Sequence, residues 1–151
     1  MNNEILHDES YTIGQVVMMT GLTDRTIRNY LSLGFLEGEK QDGQWRFTAE
    51  QLEEFMRHPS VKPSISAKKN ALIFDFLADT HNQEREACLV LSIPKEDKTA
   101  AMTFFCKETS EGDNQDIRFS YDGFEHSGRI ILRGSFSDVL RLSNAFDHSG
   151  K

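Results

Sequence analysis

The stretch Thr23 to Gly34, TDRTIRNYLSLG, decides how the chain is read. At helical spacing it turns Ile27 and Leu31 inward at i, i+4, with Tyr30 beside them. Asp24, Arg25, Arg28, Asn29 and Ser32 are left on the opposite face. Two guanidinium groups and an amide on one exposed face are the side chains that grip phosphates and read base edges.

Working outward, three helix starts share one local grammar. Thr12 with Gln15, and Thr48 with Gln51, are capping boxes, each flanked by a hydrophobic staple (Tyr11/Val16 and Phe47/Leu52). Thr23 has the cap and the Leu22/Ile27 staple, but Thr26 stands where the amide or acidic partner would be. Gly21 and Gly34 supply the left-handed stops. Only Gly21 and Leu22 separate the first helix from Thr23, the tight turn of a helix-turn-helix unit. Phe35-Leu36 and Trp45-Arg46-Phe47 read as two short strands around an Asp42-Gly43 hairpin turn, forming a wing over 37–47. A third helix runs from Ala49 to His58, with Leu52, Phe55 and Met56 inward. PSVKPSIS, residues 59–66, holds two of the three prolines and reads as a linker.

The second half, 67–149, changes character. It reads as a helix from Ala67 to Asp79, a buried strand over Glu86–Ile93, and a helix over Lys95–Glu108. An alternating strand around Ile117–Tyr121 and a third strand over Arg129–Gly134 follow. A last helix is capped by Ser135. The expected fold class is α+β: a winged helix-turn-helix, then a small sandwich-like domain ordered helix, strand-helix-strand-strand-helix. That order resembles a ferredoxin-like sandwich lacking its final strand.

The net charge is −7. Residues 1–10 form an acidic tail with Glu4, Asp8 and Glu9 and no base, and 11–63 hold six Lys/Arg against seven Asp/Glu. A nucleic-acid surface on 11–58 therefore needs its bases segregated onto one face, and non-specific coating of nucleic acid is disfavoured. The apolar runs Ala71–Ala78 and Ala87–Ile93 are too short to span a bilayer, and MNNEILHDES lacks the features of a signal peptide. A cytoplasmic location is expected, with no membrane partner. Cys88 and Cys106 have no metal-ligand spacing and read as reduced packing residues.

The first half resembles the DNA-binding domain of the MerR family of bacterial transcription regulators. The resemblance is carried by YTIGQVVMMTGLTDRTIRNYLSLGFL and then DGQWRFTAEQLEEF, about residues 11–58. It implies a winged helix-turn-helix with Arg25, Arg28 and Tyr30 on the recognition helix, and Arg46 on the wing, as DNA contacts. Beside these, Thr26 and Asn29 lie on the same helix, Asn29 as a base reader, and Lys40 offers a point charge on the wing. Two departures stand out: 67–79 is short for the long dimerising helix of that family, and neither cysteine has the context of a metal-sensing member. Dimerisation is instead expected through the C-terminal domain.

Competing readings remain open. Arg25 and Arg28 could form a solvated face paired with Asp24 or Glu37, and Arg46 an ion pair with Glu50 or Glu53. Phe104 and Phe124 could line an interface or ligand pocket rather than the core. His7, His58, His81, His126 and His148 have no ligand spacing, and no nucleophile elbow, P-loop, dinucleotide fingerprint or HExxH occurs. No enzyme, metal or cofactor is expected. The expected partners are double-stranded DNA and a second copy of the chain, with a small-molecule effector left open. The alternatives are a winged fold that binds protein rather than DNA, or an architectural DNA-binding factor resembling excisionases.

Overall fold

A computed structural model describes residues 10–149. Of the acidic segment 1–10, only Ser10 lies within it.

The helix-turn-helix forms as its caps require. Helix α1 (Ile13–Thr20) starts at the full Thr12/Gln15 capping box and stops at Gly21, φ 77°. Helix α2 (Asp24–Leu33) starts at Thr23, whose hydroxyl accepts from the Thr26 N–H, and stops at Gly34, φ 81°. These glycines take a backbone conformation that costs other residues about 1–2 kcal/mol.

The wing strands lie away from the expected ones, the first beginning four residues later and the second one residue earlier. Strand β1 is Glu39–Gln41 and β2 is Gln44–Arg46. Asp42 and Gly43 both have positive φ, 53° and 80°, giving a two-residue turn whose twist suits a hairpin. That turn fixes Gln41 opposite Gln44, then Lys40 opposite Trp45 and Glu39 opposite Arg46. Phe35-Leu36 is therefore not a strand. Its N–H groups donate back to the Tyr30 carbonyl and close the end of α2. Phe47 pairs instead with Tyr11, through reciprocal bonds of 2.8 and 2.9 Å.

Helix α3 (Ala49–Arg57) begins at the second full capping box. Helix α4 runs Lys62–Ala78, so most of the expected linker is helical and the irregular connection is confined to its beginning. Pro63 falls in the first turn, where its missing N–H costs nothing, and buried Val61 and Ile65 anchor that turn.

Strand β3 (Glu86–Pro94) leads through a short 3-10 turn into α5 (Lys98–Ser110). Strands β4 (Arg118–Gly123) and β5 (Ser127–Ser135) form a hairpin, and α6 (Phe136–Ser149) follows. The sheet order is β3-β5-β4, all antiparallel. One face buries Ile130, Leu132, Phe119 and Tyr121 in the core with Phe105 of α5 and Val139 and Leu142 of α6. Helix α4 packs on the other face, chiefly over β4 and β5.

The two halves share one hydrophobic core, which runs without a break from Tyr11 to Leu142. Helix α1 packs against β4 and α5. Tyr11 shares a hydrogen bond with Thr103, the Gln15 amide donates to Ser110 Oγ at 3.2 Å, and Ser120 Oγ donates to the Met19 carbonyl at 3.4 Å.

A buried polar network reinforces this junction. Asp122 of β4, fully buried, receives Lys69 Nζ at 2.7 Å and Lys62 Nζ at 3.0 Å from α4. Lys98 Nζ lies 3.2 Å from Glu53 Oε2, and the Tyr121 hydroxyl donates to Glu53 Oε1. Burial, then the Glu53 carboxylate, push the Tyr121 phenol well above its ordinary range. Phe124, a candidate pocket residue, lies beneath Lys62 Nζ at 3.9 Å and Lys69 Nζ at 5.1 Å. Phe104, the other candidate, packs on Phe105 and Phe146.

Candidate nucleic-acid interface

Three pieces of backbone frame one open cleft of about 340 Å³: the first turn of α1, the first turns of α2, and the wing. Thr12 and Gly14 line it from α1, Asp24 and Arg28 from α2, and Lys40 and Gln44 from the wing, with Trp45 beside them. The capping boxes and the Asp42-Gly43 turn are what bring these residues together. They fix where both helices begin and which wing residues share a face.

Arg28 and Lys40, two of the expected contacts, converge here. Arg28 Nε donates to Asp24 Oδ1 at 2.6 Å, an i,i+4 pair whose side chains are 57% and 59% exposed. The competing ion-pair reading of Arg28 is thus realised geometrically. Such an exposed pair contributes only about 0–1 kcal/mol, so it yields readily to a stronger anion. Because it engages Nε, the two terminal guanidinium nitrogens keep their fork for a phosphate or a guanine edge. Asp24 acts in this geometry as a brace that holds the guanidinium over the cleft.

Arg25 and Asn29 are exposed on α2. Thr26 is half-buried, with its hydroxyl 2.9 Å from that of Thr23, which makes it part of the cap. Tyr30 is half-buried as well. Its ring lies 5.8 Å from Phe35 and 5.5 Å from Phe55, so its body packs α2 onto α3.

The wing divides its bases between two faces. In the observed register Lys40 and Trp45 share one face, with Lys40 Nζ 5.3 Å from the indole centroid. Arg46 shares the other with Glu39 and donates from Nε to Ser10 Oγ at 2.9 Å. Glu53, weighed as a partner for Arg46, is committed to Lys98 and Tyr121 instead. Arg46 and Lys40 therefore point to opposite sides of the ribbon and would meet a duplex at different places.

Sequence reasoning missed Thr12, Gly14 and Gln44 as lining residues. The signal was available for all three: Thr12 and Gly14 sit at a capped helix start, which presents backbone N–H groups suited to phosphate, and Gln44 directly follows the turn. Among the described residues, no group of three or more His, Cys, Asp or Glu side chains is placed to hold a metal ion. No helix among them is long and apolar enough to cross a membrane. Cys88 and Cys106 are free thiols. Burial is the main cause that raises both, Cys106 to about 12.

No curated protein and no solved structure matches the chain. Residues 11–57 match the family model described as MerR HTH family regulatory protein. That segment holds α1, α2, the wing and α3, so the cleft lies wholly within it. The N-terminal third of this chain is thus a MerR-like helix-turn-helix segment.

Proposed function

We propose that the protein is a sequence-specific DNA-binding transcription regulator, without enzymatic activity, that acts as a homodimer. The observation that carries this reading is the convergence of Arg28 and Lys40, from two different elements, on one open cleft beside exposed Arg25 and Asn29. Helix α2 enters the major groove from its N-terminal end. Arg25 and Arg28 engage phosphates or guanine edges, and Asn29 reads a base. Lys40 and Arg46 hold the backbone on either side of the wing, and Tyr30 positions the helix rather than reading sequence.

The C-terminal half serves as the dimerising or sensing part. Its attachment through α1 supports that role, because α1 belongs both to the helix-turn-helix and to the surface packed on β4 and α5. A change in the C-terminal half is transmitted to the recognition unit through packed side chains instead of a flexible tether. A single unit offers few base contacts, and two-fold half-sites about 34 Å apart are the usual remedy.

Selection from a random duplex library with the purified full chain tests the reading. Enrichment of an inverted repeat is the expected result. No enriched sequence, together with no salt-sensitive binding to any duplex, would overturn it.

A further inference from the structure

The three-stranded sheet has two edges, and the fold treats them differently. Helix α1 packs along β4, with Ser120 Oγ bonded to the Met19 carbonyl. The edge of β3 is unpaired among the described residues. β3 is nine residues long, EACLVLSIP, and between Glu86 and Pro94 it carries no charge. Natural edges are usually blunted by a lysine, a bulge or an internal proline, and β3 has only the terminal Pro94.

Exposed apolar groups gather on the elements around this edge. Of the six large hydrophobic side chains exposed among the described residues, only Leu33 lies in the first half. Val90, 50% exposed, stands at the middle of β3. It lies opposite Ile131, on the sheet face away from the main core. Phe74 and Leu77 belong to α4, which crosses that face, and the end of α4 reaches β3 through the Asp79–Arg133–Glu86 ion pairs. Phe136 and Leu140 belong to α6 beneath the other face, and the Phe136 N–H donates to the Arg85 carbonyl at the start of β3.

We infer that the β3 edge is the dimerisation surface, where a second copy of this chain pairs antiparallel about a two-fold axis at Val90 to make one six-stranded sheet. The inference rests on the proposed homodimer and names its surface. A two-fold axis normal to the sheet sets Val90 opposite itself and Leu89 opposite Leu91, so the strand is complementary to its own copy. It also brings together two strand segments that carry no charge between Glu86 and Pro94, in a chain of net charge −7.

Nine residues at ~3.3 Å each give an edge about 30 Å long. Of α4 and α6, only α6 packs directly beneath β3, and with its ~10 Å diameter the strip is about 15 Å wide, or roughly 450 Å² per copy, at the small end for a specific interface, where a partner contributes ~800 Å² in the standard case.

Sedimentation of the full chain, wild type and Val90→Lys, tests the inference alongside oxidative cross-linking of a Val90→Cys variant in a Cys88→Ser background. The two-fold pairing holds the two copies of residue 90 about 4.5–5.5 Å apart at Cα, within the reach of a disulfide. The wild type should sediment at twice 17.3 kDa, Val90→Lys as a monomer with unchanged far-UV circular dichroism, and Val90→Cys should give a reducible covalent dimer. If Val90→Lys fails to fold, the cross-link decides. A wild-type monomer at every concentration would overturn both this surface and the homodimer. A wild-type dimer that survives Val90→Lys, with no cross-link at residue 90, would overturn the surface and leave the homodimer standing. A monomer whose β3 amides are protected from hydrogen exchange on both sides of the strand would also overturn it, because another segment would occupy the edge.

Discussion

The cleft between α2 and the wing and the junction beneath α1 use the same chemistry to opposite ends. Both pair Lys or Arg with Asp or Glu. In the cleft, Arg28 and Asp24 are more than half exposed at 2.6 Å. At the junction, Lys69 and Asp122 are 8% and 0% exposed at 2.7 Å. Nearly equal distances hide very different energetics. In water the attraction is screened and offset by the cost of fixing two side chains, whereas in the interior each charge has been stripped of solvent and depends on its partner. Exposed charge here is available to a ligand, and buried charge is committed to the fold.

The largest effect is expected from Asp122→Ala. It strands Lys69, and partly Lys62, without a counter-charge, and the expected loss of stability is about 3–5 kcal/mol, read by chemical denaturation. A loss no greater than that of a surface substitution would mean water reaches the junction.

Next comes alkaline pH. The fold holds the Cys106 thiol and the Tyr121 phenol in their neutral forms by raising both above their unfolded values, burial being the first cause in each. A raised folded pKa stabilises the fold fully below the unfolded value and is lost as pH climbs toward the folded one. Stability should therefore fall from about pH 9 upward, first through Cys106, whose folded value is about 12, and then through Tyr121. Tyr121→Phe should remove the later part of that slope, which pH-dependent thermal melts would show.

Smaller again is the loss of a helix cap. Thr48→Ala removes the capping box of α3 and should cost about 1 kcal/mol. The smallest stability effect belongs to the cleft, where Arg28→Ala should change stability by no more than ~0.5 kcal/mol.

These regions also differ in how far they can be read from sequence. The helix-turn-helix was legible because its rules are local. Thr12 with Gln15, Thr48 with Gln51, and the glycines at 21 and 34 act within one turn of helix, and each forms as expected. The Asp42-Gly43 turn is legible too, but the sequence pattern alone puts the first wing strand at Phe35-Leu36. Counting back from the turn gives Glu39–Gln41, and the two aromatic-aliphatic residues suggested a strand only because they close α2. Pro63 misled in the same way: a proline reads as a break unless one knows that the helix begins beside it.

The junction was not legible. Glu53, Lys69, Lys98 and Asp122 are distant in sequence, and each looks like a surface residue in its own window. Only the packing of α3, α4 and α5 around β4 makes them partners. The same holds for the open β3 edge, which depends on the order β3-β5-β4 and not on any property of EACLVLSIP by itself.

The charges of the N-terminal unit, Arg28 and Arg46 among them, are there for DNA in the proposed function. Fluorescence anisotropy with the selected duplex at several salt concentrations compares the wild type with Arg28→Ala and Arg46→Ala. The wild type should bind with steep salt dependence, and each substitution should weaken binding by about 1–3 kcal/mol or lower the salt slope by about 1. Unchanged affinity and an unchanged salt slope in both variants, with the fold intact, would contradict that function.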